Sequence, residues 1–164
     1  MKKWFQKVKN EKGLTLIELL AVVVILGIIA AIAVPSIGGI IDNTKKDAHV
    51  ANATQMISSA RLAVTGNSTL QPVKGSSTVI PLGYLEEEGY LETLKDPDGG
   101  ITSNNGYKRG GKVINPNNPD ISYVKVSRDG DSTQFTYEVR IYGVERNIPP
   151  TKEGELKRDI VKDN

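Results

Sequence analysis

A chain of 164 residues, 38% hydrophobic and only 5% aromatic, has room for one modest domain plus an appendage, with a core that must be mostly aliphatic. With no cysteine and a single histidine, it excludes a disulfide framework, thiolate metal sites and Cys/His nucleophile pairs. The formal charge of +2 is concentrated in residues 1–13, where five lysines (Lys2, Lys3, Lys7, Lys9, Lys12) face Glu11; the rest holds 16 basic and 18 acidic side chains, which argues against a nucleic-acid binder.

In chain order, the first element is a short basic leader, residues 1–13. An apolar run of 21 residues follows, from Leu14 to Val34, and its only charge is Glu18. A helix of that length spans roughly 30 Å, about the hydrocarbon thickness of a bilayer. Lysines on its N-terminal flank predict a single-pass protein with the N-terminus in the cytoplasm and the C-terminus exported. Ala31-Ile32-Ala33 is also an A-x-A triplet, so release of a secreted binding module by signal peptidase is a rival reading, as is an uncut anchor. Glu18 argues against both. A carboxylate at the bilayer centre costs about 2.5–3.5 kcal/mol, less near the interface, and an anchor alone has no use for it. Cleavage between Gly13 and Leu14 would create an α-amine one helical turn upstream on the same face. Offered by a neighbouring subunit in apolar surroundings, that amine becomes a strong counter-charge and fixes axial register.

The string Lys-Gly-Leu-Thr-Leu-Ile-Glu-Leu-Leu at residues 12–20, after a basic leader and before a run of Val, Ile, Leu and Ala, resembles the class III signal peptide of type IV pilins and type II secretion pseudopilins. The resemblance covers about residues 9–40. It implies cleavage after Gly13 by prepilin peptidase, N-methylation of Leu14, and an assembly role for Glu18. Leu14 departs from the phenylalanine usual at that position. The resemblance further implies a homo-oligomeric helical filament raised from a cytoplasmic (inner) membrane assembly platform by ATPase-driven machinery, together with minor pilins, and a final place at the cell surface or in the periplasm. Residues 14–35 are then a transmembrane and filament-core helix. Pro35 lacks an amide hydrogen and clashes with the carbonyl of Ala31, so it predicts a kink, with Gly27 a second weak point.

Residues 36–65 read as the amphipathic continuation of one helix from about Leu16 to Thr65, weakened at Gly38 and Gly39 and capped by Gly66. Val50, Ala53, Ile57, Ala60 and Val64 recur at intervals of three and four and form its apolar stripe, with Thr54, Ser58 and Arg61 off it. His49 reads as a solvated position. Residues 66–119 form a variable loop region rich in Gly and Pro, with a short helix or turn over 82–94 and a solvated acidic face at Glu86-Glu87-Glu88. Residues 120–148 read as an antiparallel hairpin: 121–127 and 133–142 alternate with period two, placing Phe135, Tyr137, Val139 and Ile141 on one face, around an Arg128-Asp129-Gly130-Asp131 turn. Lys112–Ile114 is a candidate third strand. Residues 149–164, with four acidic and four basic side chains, read as a mobile polar tail. The fold class is α+β: a long N-terminal helix whose second half packs on a small antiparallel sheet, as in pilins.

No Ser/His/Asp set, H-E-x-x-H, phosphate loop or dinucleotide fingerprint is legible, so no enzyme, cofactor or metal is expected. Asp96-Pro97-Asp98-Gly99-Gly100, with Asp129 and Asp131 as distant partners, is weighed as a calcium loop and read instead as turn chemistry. Lys108, Arg109 and Lys112 near Tyr107 are the only residues that favour DNA contact, as in a competence filament, and a solvated loop is the better reading. The expected function is a structural filament subunit; the alternative is a pseudopilin of a secretion or competence apparatus.

Overall fold

The computed structural model describes residues 15–115, 118, 120–130 and 132–164. It divides into two units, Met1–Asp42 and Asn43–Asn164. Helix α1, Leu16–Gly66, supplies all the described structure of the first unit and the first element of the second. Gly27, Pro35, Gly38 and Gly39 all lie inside it.

In the first unit α1 is apolar on every side and buried on none. Val22, Val23 and Val24 are each 52% exposed, and Ile28 is 58% exposed. Among the described residues nothing in that unit covers this surface. The stretch is long and apolar enough to cross a membrane.

In the second unit the same helix is striped. Ala53, Ile57, Ala60 and Val64 are buried as the spacing requires, joined by Met56 and Ala63, while Thr54, Ser58 and Arg61 face out. Burying each Ile or Val contributes about 1.5–3 kcal/mol, and the alanines let the helix approach closely. Gly66 is the last helical residue and has no left-handed φ; the turn is made at Asn67, whose N–H donates to Ala63 O at 2.9 Å. The side chain of Asn67 then caps a 3-10 turn, Ser68–Leu70.

The stripe belongs to a core shared with a five-stranded antiparallel sheet in the order β1-β2-β3-β4-β5: Ser76–Pro81, Tyr123–Arg128, Phe135–Tyr142, Arg146–Lys152 and Lys162–Asp163. Val124, Val126, Tyr137, Val139, Ile141 and Ile148 are buried in that core, with Phe135 half-buried against it. Helix α2, Leu82–Glu87, follows β1 directly and buries Leu82 and Leu85.

Four expectations need correction. β1 lies within the region read as loop, because Ser76-Ser77-Thr78 weakens its apolar alternation although Thr78 and Ile80 point inward. Lys112–Ile114 forms no strand; Asn115, at φ 55°, instead closes the outer edge of β1 with N–H to Val79 O (2.9 Å) and Oδ1 from Val79 N–H (2.6 Å). Pro149-Pro150, read as the start of a tail, sits inside β4, where the register with β3 shifts between Val139 and Ile141. A bulge tolerates prolines that a regular ladder would not. Residues 153–164 are packed down: Val161 is buried, Leu156 and Ile160 lie against the core, and β5 pairs with Arg146 and Asn147. Glu153 pairs with Arg61 at 2.7 Å and Arg158 holds Asp47 at 2.5 and 2.7 Å, so the balanced charges are ties to α1 and not merely a solubilising surface.

Candidate functional site

At the start of α1, Thr15 precedes the first helical residue, Leu16. Its carbonyl accepts from Glu18 N at 2.7 Å, and its own N–H donates to Glu18 Oε2 at 3.0 Å. This Thr-x-x-Glu reciprocity satisfies an amide that has no partner within the helix, and it puts an anion at the positive end of the dipole. The carboxylate is therefore fixed in direction while Glu18 remains exposed. Among the described residues it meets only the Thr15 amide, through Oε2.

The second unit holds a buried polar cluster where α1, the loop after α2 and the β3–β4 turn converge. His49 is fully buried and its Nε2 lies 2.9 Å from Asp98 Oδ2, while Tyr107 OH lies 2.9 Å from its Nδ1. The proton positions follow from Asp98, whose ionised carboxylate can only accept: Nε2 carries the ring proton directed at it, and Nδ1 accepts from the Tyr107 hydroxyl. Asn52 Nδ2 donates to the Lys95 carbonyl at 3.0 Å and to the Tyr107 oxygen at 2.8 Å. The expectation of a solvated His49 is overturned. A helix position adjoining the stripe is buried when a distant loop folds over it, and residues 49 and 98 are too far apart in sequence for spacing to reveal that.

Asp98 is the hub. Lys45 Nζ lies 3.0 Å from Oδ1, and Arg146 Nη1 lies 2.8 and 3.0 Å from the two oxygens. Burial works against its ionised form, but His49, Lys45 and Arg146 outweigh it and hold the carboxyl below the ordinary 3.8. Asp96, also buried, accepts from Asp98 N–H and Val144 N–H, each at 2.9 Å. Gly143 lets that carboxylate approach, since a Cβ there would stand 2.8 Å from Asp96 Oδ2. Burial also drives the Tyr107 hydroxyl well above the ordinary 10.0.

His49, Asp96 and Asp98 could each offer one atom to a cation, all within 4.8 Å. The electrostatics favour the turn. Asp98 is already met by two cations, Asp96 by two amides, and Nε2 carries a proton that a metal would have to displace. Asp129 sits in the β2–β3 connection, outside this group, and Asp131 lies outside the described residues.

The basic cluster weighed for DNA contact, Lys108, Arg109 and Lys112, is dispersed. Arg109 donates to Glu86 Oε2 (2.6 Å) and to the carbonyls of Tyr107 (3.1 Å) and Leu94 (2.9 Å), so Glu86 is a buried partner and not part of a solvated face. Lys112 pairs with Glu88 at 3.1 Å and Lys108 donates to Ser103 O at 3.1 Å. The three positive charges thus serve the loop itself.

Comparison with protein families matches residues 8–34 to the prokaryotic N-terminal methylation motif. The N-terminal segment is a class III signal peptide. Comparisons with curated proteins and with solved structures returned no match. The motif supports a type IV pilin-like or pseudopilin protein, and it implies processing by prepilin peptidase. The matched segment includes Gly13, Leu14, Glu18 and Gly27; Pro35 directly follows it. Gly13 and Leu14 lie outside the described residues, whereas Glu18 sits in the first turn of α1, bound to Thr15. Gly27 and Pro35 both lie inside α1, which continues past the motif. The apolar surface of this segment fits a membrane-anchored protein.

Proposed function

We propose that the chain is a structural subunit of a type IV pilus-like filament, without catalytic activity, cut after Gly13 and assembled through α1. The observation that carries this reading is a methylation motif in which Glu18, the one acidic residue of the apolar run from Leu14 to Val34, stands exposed in the first turn of α1. Before assembly the helix spans the cytoplasmic membrane, N-terminus in. In the filament, neighbouring helices replace lipid around Leu16–Ile41, and the Leu14 amine of another copy meets Glu18. The amine exists only after cleavage, so processing gates assembly.

Mass spectrometry of the protein from its native host tests the first step. The expected product begins at Leu14, with or without a methyl group; a start at Met1 or Val34 refutes the proposal. In the same host Glu18→Ala is expected to be processed normally yet lost from sheared filaments. Undiminished incorporation would remove Glu18 from the assembly step.

A further inference from the structure

Asn105-Gly106 is the one Asn-Gly dipeptide in the chain. Asn105 is exposed, on the loop that carries Tyr107 to His49. Its Oδ1 accepts from the Thr102 hydroxyl at 3.1 Å, and its N–H donates to the same hydroxyl at 3.3 Å. A hydrogen bond to Oδ1 draws electron density from Cγ and makes that carbon a better electrophile. The next residue has no side chain to shield it and could not accommodate one, since a Cβ on Gly106 would lie 2.4 Å from Gly100 O. The Gly106 N–H donates to no described residue, so no hydrogen bond to these residues has to break before its nitrogen attacks.

We propose that Asn105 is a site of spontaneous deamidation through a succinimide closed by the Gly106 nitrogen. The Gly106 nitrogen attacks Asn105 Cγ, and its bond to carbon forms as the Cγ–Nδ2 bond breaks. The amide proton of Gly106 leaves with Nδ2 as ammonia. One water then opens the ring at either carbonyl, giving aspartate or isoaspartate, with no oxidant, reductant or cofactor consumed. Either product adds a negative charge to the loop. The isoaspartate also lengthens the main chain by one methylene just before Tyr107. It converts the Asn105 carbonyl, which accepts from Gly100 N–H, into a pendant carboxylate. Because Asp96 N–H in turn donates to Gly100 O at 3.0 Å, the change is transmitted to the loop that holds the His49 cluster.

The test is to incubate the purified full chain in mildly alkaline buffer for several weeks, then map peptides by mass and label isoaspartate with an isoaspartyl methyltransferase. The expected result is amide-to-acid conversion at Asn105, with isoaspartate in excess, while Asn52, Asn67 and Asn104 remain amides; the chain carrying Asn105→Gln stays unlabelled. The urea-unfolded chain serves as the reference for intrinsic reactivity. Asn105 still an amide in the folded chain when the unfolded chain is largely converted would overturn the proposal, as would equal conversion at all four asparagines.

Discussion

The two stretches of α1 are built from similar residues and meet opposite fates. Ile28 is 58% exposed, and Ile57 is 0% exposed. The difference is pattern rather than hydrophobicity. From Leu16 to Ile41 apolar residues occupy every side, so no single neighbouring layer could cover them; from His49 to Val64 they form a stripe matched to one sheet. An apolar surface on all sides belongs among lipids or other helices, whereas a stripe is completed by its own chain.

The sharpest test of this contrast is the same substitution in both places. Ile57→Ala should cost roughly 2–5 kcal/mol of stability by chemical denaturation, as expected for a truncated core isoleucine. Ile28→Ala should leave the unfolding of residues 43–164 unchanged, and a comparable loss would show that the two stretches are not energetically separate. Next in size is Asp98→Asn, which leaves Lys45 and Arg146 without their shared anion and is expected to cost about 3 kcal/mol. Because the folded carboxyl is held low, its contribution is complete above the ordinary value of 3.8 and lost as pH falls through the lower folded value. The acid limb of a stability profile should therefore flatten in Asp98→Asn.

Tyr107→Phe should cost about 1–3 kcal/mol by leaving His49 Nδ1 unpaired. Its signature is alkaline. The folded hydroxyl titrates above the ordinary 10.0, so its contribution holds below that value and is lost as pH rises towards the folded one. Wild type should show that loss in a denaturation profile and Tyr107→Phe should not. The smallest effect is expected for Arg158→Ala: its pair with Asp47 is exposed, and thermal melting should not shift measurably.

The parts of the molecule legible in sequence were those written in local periods. The helix start at Leu16, its stripe, the strands around 123–128 and 135–142 and the methylation motif all repeat or cluster over a few residues. Strands β1 and β4 were hidden because serine and proline broke their alternation, and in each the break is absorbed by something remote, Asn115 at the edge of β1 and a bulge opposite β4. The capping contact of Glu18 was available in the sequence as Thr15-x-x-Glu18 and adds to the charge argument.

Length and an apolar run determined from the sequence alone that this chain carries a stretch able to cross a membrane, within a methylation motif that includes Glu18, since those properties need no contact beyond neighbouring turns. Only the tertiary structure decided that His49 is buried, that Asp98 is shared by Lys45 and Arg146, that Glu86 pairs with Arg109 and that residues 153–164 are bound down. Each of those joins residues far apart in the chain. Whether a polar side chain meets water or a partner depends on which loop folds over it, and that is settled by packing rather than by neighbours in sequence.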